Sequence, residues 1–169
     1  MKSRFLSLVL GGAVLIGAVA CDDDDDDNDL LLPPGTVTFS AEMNGANERP
    51  TPVNTTATGT STFILIGNTL LYNITATGLS SPVNGAHIHV GNSTQAGPII
   101  FPFTFATIQT GTVASGSIDL TGLITAGGIT GDSLRVLLNN GNAYTNVHTV
   151  NNPDGEIRGQ IRRQNSDND

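Results

Sequence analysis

The chain contains three histidines, and two of them sit one residue apart in AHIHVG (86–91). Side chains at i and i+2 leave the same face of a β-strand. His87 and His89 would therefore point one way, and Ala86, Ile88 and Val90 the other. The third, His148, lies in TNVHT (145–149), where Asn146 and His148 share one face and Val147 takes the other. If these two strands approach, the three imidazoles can supply three nitrogen ligands with an open fourth position, a donor set suited to zinc or copper. The competing reading is structural, with the rings bonded to carbonyls, Thr149 or Glu156 and fixing strand register. A second group of polar residues occurs in GEIRGQI (155–161). As a strand this places Glu156, Arg158 and Gln160 on one face and Ile157 and Ile161 on the other. Glu156 and Arg158 could recognise a ligand, or pair with each other as opposite charges on a shared face. No Ser/His/Asp arrangement, carboxylate pair or phosphate-cradling loop supports hydrolase or transferase chemistry.

The elements that must position these residues read as strands. Of 169 residues, 13% are charged, 20 are glycine and none is tryptophan. Thr, Val, Ile and Asn are abundant, which suits strands and turns better than long helices. TVTFSAEM (36–43) alternates apolar and polar positions, as a half-buried strand does. ATGTSTFILI (57–66) and TLLYNITATGL (69–79) flank Gly67-Asn68, the clearest hairpin signal in the chain. IIFPFTF (99–105) is apolar but interrupted by Pro102, which suits an edge or bulged strand. TVASGSIDL (112–120) and, around the NNPDG turn, AYTNVHTV (143–150) and EIRGQIRR (156–163) complete the set. One segment differs: in TGDSLRVLLNNG (130–141) a Thr130 or Asp132 cap, a stripe of Leu134, Leu137 and Leu138, and a terminal Gly141 predict a short helix near 131–140. Many short strands joined by short loops predict an all-β, antiparallel Greek-key sandwich or barrel.

Charge is distributed unevenly. The formal net charge is -8, but Asp22 to Asp27 and Asp29 supply much of the acid. Between Thr36 and Arg163 five arginines nearly balance Glu42, Glu48, Asp119, Asp132, Asp154 and Glu156. No basic stripe is present to neutralise phosphates, so nucleic acid is not an expected partner.

The amino terminus reads as an address. Lys2 and Arg4 precede an uncharged run from Phe5 to Ala20, too short for an ordinary membrane span. Ala18 and Ala20 stand just before Cys21, the one cysteine of the chain. The pattern resembles a bacterial lipoprotein signal, with residues 1–20 removed and Cys21 lipidated; an ordinary secretion signal cut near Ala20 is the alternative. Residues 21–35 then form an acidic tether, whose carboxylates repel one another and bury nothing. The folded domain spans 36–163, and 164–169 is a polar tail. The expected setting is the cell envelope, extracytoplasmic and lipid-anchored, with the membrane itself as one partner.

The segments FSAEMNGANERPTP, GAHIHVG and YTNVHTVNNPDGEIRGQI together resemble the CHRD family, the domain named after chordin. The matching positions are Glu48, Pro50, His87, His89, Gly91, Asn146, His148, Asn152, Pro153, Gly155, Glu156, Arg158, Gly159 and Gln160. A fainter likeness connects the His-Xaa-His strand and the later Val-His strand to copper/zinc superoxide dismutase, although no disulfide is possible and no zinc cluster follows Gly91. The CHRD resemblance implies a β-domain of immunoglobulin-like or superoxide-dismutase-like architecture, acting as a binding or structural module toward a protein or glycan. The alternative is a copper or zinc domain built on the three histidines, and a redox enzyme is the least supported reading.

Overall fold

The computed structural model describes residues 32–125 and 127–164. The predicted signal segment, Cys21, the acidic run through position 31 and the last five residues lie outside the described residues. No helix among the described residues is long and apolar enough to cross a membrane.

Apolar alternation sets the strands. In β1 (Val37–Asn44), Phe39, Ala41 and Met43 are buried, as the sequence pattern requires. β2 (Thr58–Ile66) and β3 (Thr69–Thr77) form a two-residue hairpin with Ile66 opposite Thr69. Gly67 takes φ +56 in this turn, a conformation that costs glycine little. β4 (Val83–Val90), β5 (Ile99–Pro102) and β6 (Gly111–Asp119) follow. After α1 (Gly131–Asn139) come β7 (Ala143–Thr149), β8 (Ile157–Gln160) and β9 (Arg162–Arg163).

All pairings are antiparallel, in the order β5-β4-β7-β8-β1-β2-β3-β6, with β9 added to β1. The sheet curls upon itself into a half-barrel. The segment after β5 links its two ends: Phe103 N donates to Ala86 O of β4 at 2.9 Å, and Ala106 N donates to Val113 O of β6 at 2.7 Å. Phe103 packs within the curl against Tyr72 and Phe63, with ring centroids 4.7 and 6.5 Å away. One hydrophobic cluster fills the interior and draws on β1 to β8 and on α1 through Leu134 and Leu138. Thr130 caps α1 by accepting from Ser133 N at 3.2 Å, and Gly141, at φ +65, ends it.

Three boundaries differ from the sequence expectation, each because pairing overrides composition. β4 begins at Val83, inside a segment of turn-like composition, because Val83 and Gly85 pair with Thr149 and His148. Of IIFPFTF only the first four residues pair as a strand, at the sheet's edge, where Pro102 removes no needed donor. EIRGQIRR is two strands rather than one. β8 pairs with β7, Ile161 turns into the core, and Arg162 and Arg163 join β1 opposite Ser40 and Phe39.

Candidate metal centre

The β4–β7 register builds the site. Gly85 lies opposite His148, His87 opposite Asn146, and His89 opposite Tyr144. Alternation sends this whole set to the outer face, while Ala86, Ile88 and Val147 are fully buried in the core. Glycine at position 85 leaves room for the rings. A Cβ there would stand 3.1 Å from His87 Cε1 and 3.5 Å from both Cβ and Cδ2 of His148. The ring centroids of His87 and His148 are 4.8 Å apart, those of His87 and His89 5.6 Å, and those of His89 and His148 6.0 Å. One ring nitrogen from each lies within 4.8 Å of the others.

Two of the rings are held by carbonyls. His89 Nδ1 contacts Gly97 O at 2.9 Å, and His148 Nδ1 contacts Pro153 O at 2.9 Å. A carbonyl oxygen only accepts, so each Nδ1 carries the proton and each Nε2 keeps a free lone pair. His87 Nδ1, His89 Nε2 and His148 Nε2 are all buried and have no hydrogen-bond partner among the described residues. Burial foremost, then the neighbouring His148 and His89, pushes the His87 pKa down to about 4. Burial likewise takes His89 down to about 4 against the opposing Gly97 bond, and lowers His148 against its Pro153 bond. All three rings are therefore neutral at physiological pH, the state in which imidazole binds metal.

A supporting layer surrounds the rings. Tyr144 stacks on His89 with centroids 4.8 Å apart and planes 13° from parallel. The Arg158 guanidinium lies 3.5 Å from the same Tyr144 ring. Two groups cannot share one face of the ring, so the tyrosine is sandwiched between cation and imidazole. Gly97 N donates to the Tyr144 hydroxyl at 3.0 Å, so the residue that orients His89 also anchors Tyr144. Beyond Asn146 lies Glu48, 3% exposed, whose Oε2 accepts from Asn146 Nδ2 at 3.3 Å. Burial raises the Glu48 pKa to about 7, only partly offset by Asn146 and the Arg158 charge.

The shared face expected for Glu156 and Arg158 is not found. The Glu156 carboxylate accepts from Thr55 Oγ1, Ser80 N, Ser80 Oγ and Thr149 Oγ1 at 2.6–2.9 Å. Burial alone would raise its pKa, but the bonds from Thr149, Ser80 and Thr55 outweigh it and leave the group below the usual carboxylate range. Arg158 instead donates to Asn92 O at 2.6 Å and Gln95 O at 2.9 Å. The two charges serve separate networks because Glu156 precedes β8 and is turned toward Thr149, away from the alternation that aims Arg158. Cys21, the predicted lipidation site, lies outside the described residues.

An antiparallel β half-barrel with three imidazoles on one outer strand pair thus defines the class of domain. The CHRD domain family matches residues 39–161, and the chain belongs to that family. No curated protein and no solved structure matches the chain.

Proposed function

We propose that the domain is a metal-binding module that takes one copper or zinc ion through His87, His89 and His148, displayed outside the cytoplasm on a lipid-anchored tether. The observation that carries this reading is the set of three buried, unpartnered ring nitrogens on one face. A buried polar atom left unpaired costs about 1–3 kcal/mol, and a single cation satisfies all three at once. Imidazole nitrogens around a tetrahedral ion lie about 3.3 Å apart, so the rings reach binding geometry by small rotations of side chains already adjacent. The fourth position stays open to water or a small ligand. The donor set contains no thiolate or carboxylate, which suits zinc and copper and disfavours magnesium and calcium.

A purely architectural role is the second reading, favoured by the Nδ1 bonds that tie the loops at Gly97 and Pro153 to the sheet. His87 separates the two, because it makes no hydrogen bond that holds a loop. Chelator-treated full chain should take up one equivalent of Zn(II) or Cu(II), read by calorimetry and elemental analysis. His87→Ala should abolish uptake and leave the melting of the metal-free protein little changed. Absence of saturable uptake, or undiminished uptake by His87→Ala, would overturn the metal reading. The anchor rests on the sequence pattern at Cys21, and mass spectrometry of the mature protein showing an unmodified Cys21 would reject it.

A further inference from the structure

A second site of different chemistry lies where β1, β8 and β9 meet. It is an open cleft of about 370 Å³ lined by Arg49, Arg158 and Arg162, with Asn47 and Gln164 among its polar groups and Glu42 as its one carboxylate. Three arginines thus line one cleft in a chain whose net charge is -8.

Arg158 is the telling member. It is only 2% exposed and ranks among the largest fully buried side chains, yet among the described residues its hydrogen bonds go to carbonyls and none to a carboxylate. Its Nη2 donates to the Asn92 and Gln95 carbonyls. Among the described residues no acceptor engages its Nε or Nη1, although a guanidinium offers five N–H donors. The charge is only partly compensated: Glu48 favours the charged form of Arg158 but is itself pushed up to about 7 by burial. Burial acts foremost against the charged form of Arg158, Tyr144 and Glu48 partly offset it, and the Arg49 cation adds to it; guanidinium basicity retains the charge. Arg49 is held in place by its Nη1, which donates to Ala46 O at 3.0 Å and Glu48 O at 2.7 Å. Buried charge with open donors, beside two further cations, is an arrangement completed by an anion.

We propose that this cleft binds a small oxyanion group (phosphate, sulfate or carboxylate, free or carried on a saccharide), held by the guanidiniums of Arg49 and Arg162 with the remaining Nε and Nη1 donors of Arg158 beside them. Guanidinium forks match the oxygen spacing of such groups in two parallel bonds. The cleft has the size of a site for a small organic ligand rather than a bare ion, which favours the saccharide-borne form. The site shares no metal ligand with the histidine centre, and its occupancy does not depend on metal.

The test titrates the full chain, with chelator present and ionic strength fixed by chloride, with inorganic sulfate, glucose 6-sulfate and glucose. Binding is read by NMR shifts and calorimetry. Saturable one-to-one binding of the sulfates, with none of glucose, is expected. Arg162→Ala should weaken it by about tenfold or more, the loss of one charge-assisted contact. Arg163→Ala removes the same charge from the next, exposed position outside the cleft and should change affinity less than about twofold. Tighter binding of glucose 6-sulfate than of sulfate assigns a saccharide-borne ligand, and equal affinity assigns the free ion. No saturable binding, or equal weakening by Arg162→Ala and Arg163→Ala, would overturn the proposal.

Discussion

Glu48→Gln should stabilise the protein at alkaline pH and leave it nearly unchanged in mild acid. Two orphan atoms set this expectation. Glu48 Oε1 and Asn146 Oδ1 are both buried without partners among the described residues, while Asn146 Nδ2 already donates to Glu48 Oε2. Both oxygens converge beneath Gly155, where a Cβ would fall 2.9 Å from Oε1 and 2.8 Å from Oδ1. Two acceptors facing each other are repulsive, but a proton on Oε1 turns the pair into a closed acid–amide ring with both orphans satisfied. Burial raises the Glu48 pKa from 4.5 to about 7, the direction this arrangement demands. Because the folded-state pKa lies above the unfolded one, the contribution of neutral Glu48 is complete below about pH 4.5. It is lost as pH rises through 7. A shift of that size corresponds to about 3 kcal/mol at full ionisation. Glutamine keeps both bonds through its own amide and cannot ionise. Urea denaturation of chelator-treated protein at pH 5 and pH 8.5 measures the difference, and the histidine titrations cancel between wild type and variant. The variant should be more stable by about 3 kcal/mol at pH 8.5 and by less than about 1 kcal/mol at pH 5. A pH-independent difference, or a variant less stable at pH 8.5, would show that Glu48 is an ordinary ionised carboxylate.

Three further outcomes follow from the packing. Ile88→Ala empties a fully buried position between the two histidines and should cost about 2–5 kcal/mol in denaturant unfolding, the usual range for aliphatic core truncation. Gly97→Ala would drive a Cβ into the Val90 carbonyl, so the loop must shift and release the His89 and Tyr144 bonds. It should cost about 1–3 kcal/mol or more and weaken Zn(II) uptake although residue 97 is not a ligand, as calorimetry would record. Because His87 and His89 protonate only near pH 4 and burial lowers His148 as well, metal affinity measured by calorimetry should fall less between about pH 7.5 and 5.5 than that of a site built from ordinary histidines.

Much of the fold was legible because two signals are local. Alternation in β1, β2 and β3 places Phe39, Phe63 and Ile74 inside, and in β6 it places Ala114 and Ile118 there, whereas Val113 is buried beside Ala114 at a register shift that alternation does not foretell; the Gly67-Asn68 turn fixes the first hairpin. The cap at Thr130 and the leucines of α1 are equally local. What the residues did not reveal depends on partners distant in sequence. The early start of β4 is imposed by Thr149 and His148, and the break at Ile161 is imposed by β1. Neither follows from the composition of the segment concerned.

The site divides along the same line. Period-two alternation was enough to put His87, His89 and His148 on outer faces, because each strand's apolar partners, Ile88 and Val147, are unambiguous. It could not say that the rings would be buried, since the cover comes from loops whose composition reads only as turn. Gly97 and Pro153 act through backbone carbonyls, which every residue possesses, so no side-chain motif marks them as the groups that fix two tautomers. Glu156 shows the opposite failure. Extending alternation one residue beyond the true start of β8 assigned it to the face of Arg158, whereas its carboxylate turns to Thr55, Ser80 and Thr149. A period-two argument holds only while the ladder does, and Glu156 stands one residue outside it. Arg158, inside the ladder opposite Asn146, is aimed where alternation directs it, and with Glu156 turned away its Nη2 goes to the Asn92 and Gln95 carbonyls instead of a carboxylate.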